Sequence, residues 1–152
     1  MKNKLLFLVP VLFAAVSCTN TNENTGQKNA VQTRTISLTG EEFLKKVLNY
    51  QADSLEWKYL GDKPAIVDFY ANWCNPCKLI APTLESLAHE YDGRIYIYKI
   101  DVDKERELAA GFGIKFLPAL LFIPMEGEAT VSYGVMTNAA FKKQIDSLLL
   151  NN

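Results

Sequence analysis

The 152-residue chain has a single histidine, His89, and only three cysteines, Cys18, Cys74 and Cys77. A structural zinc site takes four ligands, mostly Cys and His. Cys74 and Cys77 would need two more, and only Cys18 and His89 exist, the latter about three turns along the following helical pattern. The composition therefore argues against a metal site, and it implies no cofactor. Long apolar runs are also missing. Residues 5–16 hold 12 apolar positions, too few to cross a bilayer as a helix. Neither sign of charge dominates: 16 Lys and Arg stand against 17 Asp and Glu, a net of −1. That balance gives no electrostatic footprint for nucleic acid. There is no internal repeat.

What is present at the N-terminus is an export signal. Lys2 and Lys4 precede the apolar run, the arrangement of a signal peptide. Ala15-Val16-Ser17-Cys18 resembles a lipoprotein cleavage box, in which the cysteine becomes a lipidated N-terminus, although such boxes prefer Leu where Ala15 stands. Ordinary signal cleavage and an uncleaved N-terminal anchor are the alternatives. All three place the domain outside the cytoplasm, in the periplasm or on the outer face of a bacterial membrane. Cleavage before Cys18 leaves 135 residues, enough for one domain, with 14 basic against 17 acidic side chains. Three cysteines is an odd count for an exported chain, and lipidation of Cys18 leaves one pair. The expected organisation is a signal segment over 1–17, a flexible linker over 18–33 and a folded domain over 34–152. The linker is rich in Asn and Thr and too poor in large apolar groups to offset ordering.

The chemistry is concentrated in Trp73-Cys74-Asn75-Pro76-Cys77-Lys78. The preceding run, Ala65-Ile66-Val67-Asp68-Phe69-Tyr70-Ala71, reads as a buried strand, and 78–91 reads as a helix. Two cysteines two residues apart at a strand-to-helix junction can close a small disulfide ring. Cys74 falls at the helix N-terminus, where unpaired N–H groups and the helix dipole favour a thiolate. Pro76 suits a first helical turn. An inert structural disulfide is the bland alternative in an oxidising compartment. Asp68 sits within the apolar strand, where an unpaired carboxylate is costly, so burial should raise its pKa towards the working range.

Elsewhere the pattern alternates strands and helices. Residues 34–38 read as a short first strand. Thr39 can cap a helix carrying Glu41 and Glu42 in its first turn and Phe43, Leu44, Val47 and Leu48 on its inner face. Pro82 should kink the long helix, and Gly93 ends it. Ile95, Ile97 and Ile100 mark another strand, and 104–110 a short helix. Residues 119–123 and 129–135 form an antiparallel pair about Met125-Glu126-Gly127. Thr137 caps a last helix bearing Phe141, Ile145, Leu148 and Leu149.

From about residue 35 to the end the chain resembles the thioredoxin family. The resemblance rests on Val67-Asp68-Phe69-Tyr70-Ala71-Asn72-Trp73-Cys74-Asn75-Pro76-Cys77-Lys78, Ile80-Ala81-Pro82, Lys99-Ile100-Asp101-Val102-Asp103 and Phe112-Gly113-Ile114-Lys115-Phe116-Leu117-Pro118, with Gly127 and Gly134 in register. It implies an α/β thioredoxin fold, a central mixed β-sheet with helices on both faces. It implies a protein-disulfide reductase in which Cys74 is the nucleophile and Cys77 resolves a mixed disulfide. Asp68 would lie beneath Cys77 and move its proton, with Lys99 as its partner; a purely structural Asp68–Lys99 bridge is the competing reading. Pro118 would be cis and present the Leu117 backbone to substrate. Trp73, Ile114, Leu117 and Gly134 would bind substrate around Cys74, joined by Phe112, although Phe112 and Ile114 read equally well as core.

Two departures stand out. Asn75 occupies the place of a customary Gly, and Tyr70 that of a frequent Trp. The segment 50–63 is longer than in a minimal member, and is expected to extend the first helix and add a loop under which Trp57 and Tyr59 pack. The implied partners are disulfide-containing client proteins and, outside the cytoplasm, a DsbD-like transmembrane thiol carrier as electron donor. The protein is expected to be a monomer, touching the membrane only through Cys18. Alternatives on the same fold are a disulfide oxidase or isomerase, a dedicated reductant for cytochrome c maturation, and a non-enzymatic binding module.

Overall fold

The computed structural model describes residues 33–49 and 57–150. The expected signal segment 1–17, Cys18 and the linker as far as residue 32 lie outside the described residues. Among the described residues five strands and four helices follow in the order β1 (Ile36–Ser37), α1 (Gly40–Lys46), β2 (Ala65–Tyr70), α2 (Asn75–Glu90), β3 (Tyr96–Asp101), α3 (Arg106–Gly111), β4 (Ala119–Ile123), β5 (Thr130–Tyr133) and α4 (Asn138–Gln144). A wider π-type turn, Ile145–Leu149, prolongs α4. The sheet order is β1-β3-β2-β4-β5, with β1 and β2 parallel to β3, β4 antiparallel to β2 and β5 antiparallel to β4.

Central strand β2 is almost wholly apolar because both faces of the sheet are covered. Its two-residue period sorts the core. Ala65, Val67 and Phe69 join Phe43 and Val47 of the α1 segment and Leu108 of α3 on one face. Ile66 joins Ile80, Leu84 and Leu87 of α2 and Phe141 of α4 on the other. The same period turns Asp68 towards the α2 face. Lys99, sharing parity with Ile97 on β3, stands beside it, in register with Asp68.

Local chemistry sets the helix ends. Thr39 Oγ1 accepts the Glu42 N–H at 3.2 Å while the Glu42 carboxylate accepts the Thr39 N–H at 3.0 Å, a reciprocal cap. Thr137 caps α4 by accepting the Ala140 N–H. Helix α2 starts at Asn75 rather than at residue 78, because Pro76 lacks only an N–H that no first turn uses. It runs through Pro82 without ending. Its far end holds the start of the domain: Glu85 accepts from the Arg34 N–H and, at 2.8 Å, from the Thr35 hydroxyl.

Two further expectations are corrected. The first helix is not extended into the 50–63 segment: α1 stops at Lys46, and the Leu60 N–H donates to the Val47 carbonyl at 3.0 Å, folding the chain back. Residues 50–56 lie outside the described ones, while Trp57 and Tyr59 pack on the α1-side core. The short helix α3 begins at Arg106, because the Lys104 and Glu105 N–H groups both donate to the Asp101 carbonyl in a preceding turn. Thr39→Ala is expected to lower stability by about 1 kcal/mol in urea denaturation with an unchanged m-value.

Candidate active site

The parallel strands β2 and β3 end at the same edge of the sheet, and the loops leaving them converge there. Cys74 is the N-cap of α2, and its sulfur accepts the Cys77 N–H at 3.2 Å. Cys74 and Cys77 are joined as a disulfide with Cα atoms 5.3 Å apart. The helix N-terminus thus points its N–H groups at Cys74, an environment that favours a thiolate once the bond is reduced. Ala71 and both cysteines form a small buried cluster, against which Leu117 and Tyr70 pack.

Behind the ring, a cavity of about 150 Å³ is lined by Asp68, Tyr70, Cys77, Ala81 and Lys99, among others. Asp68 is only 1% exposed, and its Oδ1 has no hydrogen-bond partner. Burial pushes its carboxyl up to about 7, and the Lys99 charge pulls it only part of the way back. Lys99 is not bonded to it in an ion pair among the described residues; its ammonium lies 4.6 Å from the centre of the Tyr70 ring. The expected partnership is therefore one of charge across adjacent strands rather than of contact.

The third side of the site is a turn with a cis Leu117–Pro118 peptide. The Gly134 N–H donates to the Pro118 carbonyl at 2.9 Å, tying the end of β5 to this turn. Gly134 adopts φ 88°, a conformation that side-chain-bearing residues rarely take. On the opposite side Trp73 is 67% exposed, and its indole N–H donates to Asp103 Oδ2 at 2.9 Å. Buried Asp101 braces that corner, accepting from Asn72 Nδ2 at 3.3 Å and from the Asp103 N–H at 3.1 Å.

The thioredoxin family model matches residues 34–147. The chain belongs to the thioredoxin family. It is 47% identical over 110 residues to a thioredoxin of Borreliella burgdorferi, covering 72% of this chain and 93% of that one. It is 33% identical over 107 residues to a thioredoxin of Chlorobaculum thiosulfatiphilum, covering 70% and 95%. The crystal structure of chloroplastic thioredoxin z superposes with a TM-score of 0.63 at 30% identity, over 74% of this chain and 92% of that one. With the Cys74–Cys77 pair in place, this is a thioredoxin-like disulfide oxidoreductase, a class that acts on disulfide-containing substrates.

The structure brings Cys74, Cys77, Asp68, Lys99, Pro76, Leu117, Pro118, Trp73 and Gly134 to one end of this thioredoxin fold. Phe112, Ile114 and Leu117 are all partly buried against the α1-side core, where Phe112 meets Phe43 edge-on with ring centres 5.2 Å apart. His89 is on the surface of α2 beside Glu85. Sequence reasoning assigned nothing to Asp101 and Asp103, which hold the Trp73 corner, nor to Phe116 and Tyr133. The signal for the first pair was there, in the matched stretch after β3. Among the described residues no three His, Cys, Asp or Glu side chains gather as a metal group.

The raised carboxyl has a measurable consequence. The unfolded chain releases the Asp68 proton near 3.8, and the folded protein holds it to about 7. Between those values the folded state binds more protons, so stability falls as pH rises, by up to about 1.4 kcal/mol per pH unit, and levels off above neutrality. Asp68→Asn should abolish that slope in urea denaturation of the oxidised protein between pH 4.5 and 8; an identical slope in both proteins would remove Asp68 as its source.

Proposed function

We propose that this protein is an exported thioredoxin that reduces disulfides of client proteins outside the cytoplasm. The observation that carries the direction of electron flow is the unpaired Asp68 carboxyl facing the same cavity as Cys77. A dithiol is strongly oxidising when its reduced, thiolate form is specially stabilised. Here a second buried anion beside Asp68 is disfavoured, which favours the disulfide and makes the dithiol reducing.

The reaction proceeds in two exchanges. The Cys74 thiolate attacks one sulfur of the client disulfide. A Cys74–client disulfide forms, and the other client sulfur leaves as a thiolate and takes a proton. Cys77 then gives its proton to the Asp68 carboxylate and attacks Cys74 Sγ. The Cys74–Cys77 bond closes, the remaining client sulfur leaves, and two electrons have passed from the dithiol to the client. Lys99 limits how far burial raises Asp68, so that near neutral pH it exists in both protonation states. The Leu117 backbone beside cis-Pro118 lines up the extended client segment.

Location and electron supply follow from the N-terminal sequence. Lys2, Lys4, the apolar run 5–16 and Cys18 support export and lipid anchoring. In that compartment the dithiol is regenerated by a DsbD-like transmembrane thiol carrier. In cells expressing a Cys77→Ser variant, Cys74 is expected to accumulate thiol-cleavable adducts with client proteins and with a membrane thiol carrier, while Cys74→Ser traps neither. Absence of every adduct would contradict the mixed-disulfide step; client adducts without a carrier would contradict this electron supply alone.

A further inference from the structure

We propose that Phe116 and Tyr133 form an aromatic shelf that selects clients carrying a large apolar side chain next to the reacting cysteine. The proposal rests on client reduction at Cys74–Cys77 and specifies which clients that site takes. Phe116 is 70% exposed and Tyr133 48% exposed. Their rings meet edge to face with centres 6.2 Å apart, so each is fixed by the other while an open face remains. Val131, also exposed, precedes Tyr133 on the same face of β5 at the two-residue spacing of a strand.

The shelf is continuous with the redox site through the backbone. Phe116 immediately precedes Leu117, which packs on the Cys74–Cys77 cluster. Tyr133 pairs with Ala119 in register and precedes Gly134, which is bonded to the Pro118 carbonyl. A client whose cysteine reaches Cys74 must run past Leu117, and at about 3.3 Å per residue its neighbouring side chains fall over this stretch. Aromatic surface left bare beside a site that receives protein substrates is recognition surface, since such groups are otherwise buried. Trp73 does not compete for this role, because it lies on the other side of the ring with its indole held by Asp103.

The test compares two oxidised peptides that differ only in a Phe or an Asn next to the reacting cysteine, together with bis(2-hydroxyethyl) disulfide, which has no ring or large apolar group to rest on the shelf. The reduced full-length protein should favour the Phe peptide by about tenfold in second-order rate constant, the effect of one well-buried aromatic contact. Phe116→Gln with Tyr133→Ser should bring both peptides to the same rate and leave reaction with the small disulfide unchanged. Phe116→Gln alone should lower the preference, and it serves as the readout should the double variant fail to fold; an undiminished preference in it would overturn the shelf. Equal rates for the two peptides with the unaltered protein, or a preference that survives the double substitution, would overturn the shelf. Failure of the unaltered protein to reduce the small disulfide would instead overturn the reductase reading beneath it.

Discussion

One buried, unpartnered carboxyl governs this molecule. Asp68 lies in the middle of an otherwise apolar strand, with α2 packed over it and its Oδ1 unbonded. Burying a charge there is costly, so the group keeps its proton to about neutral pH. The cost is borne by the two apolar layers on either side of the sheet, which hold β2 in place whatever Asp68 prefers. The result is a carboxyl with a raised pKa in the same pocket as Cys77.

The rest of the site makes the two cysteines unequal. Cys74 caps α2 and takes an N–H from the helix start, whereas Cys77 lies one turn in and faces the Asp68 cavity. Once the bond is reduced, the helix start favours a thiolate at the first, while the second shares its pocket with the Asp68 carboxyl. Lys99 moderates the carboxyl from the adjacent strand without bonding to it, its ammonium resting against the Tyr70 ring. The cis-Pro118 turn, tied to β5 through Gly134, closes the third side and carries the exposed aromatic pair at its edge.

Much of this was legible in the sequence, for physical reasons. The spacing of Cys74 and Cys77 at a strand-to-helix junction determines ring closure locally. Thr39 and Thr137 announce their helices because capping involves residues only three apart. Asp68 stands out because little else polar interrupts β2. Other features depend on contacts distant in sequence. That α1 stops at Lys46 reflects a bond from Leu60 to Val47, which no local pattern encodes. Phe112 belongs to the core because Phe43 and Phe69 meet it from separate elements. Phe116 looked like another apolar residue in a turn, and only the placement of Tyr133 on β5 reveals the pair.

Asp68 beside Cys77 is proposed to make this dithiol a reductant. The most direct test is the reduction potential of the Cys74–Cys77 pair, obtained by equilibration with dithiothreitol and glutathione buffers at pH 7. A value near roughly −270 mV, that of a reducing thioredoxin, is expected. A value between about −180 and −120 mV, where isomerases and oxidants lie, would contradict it.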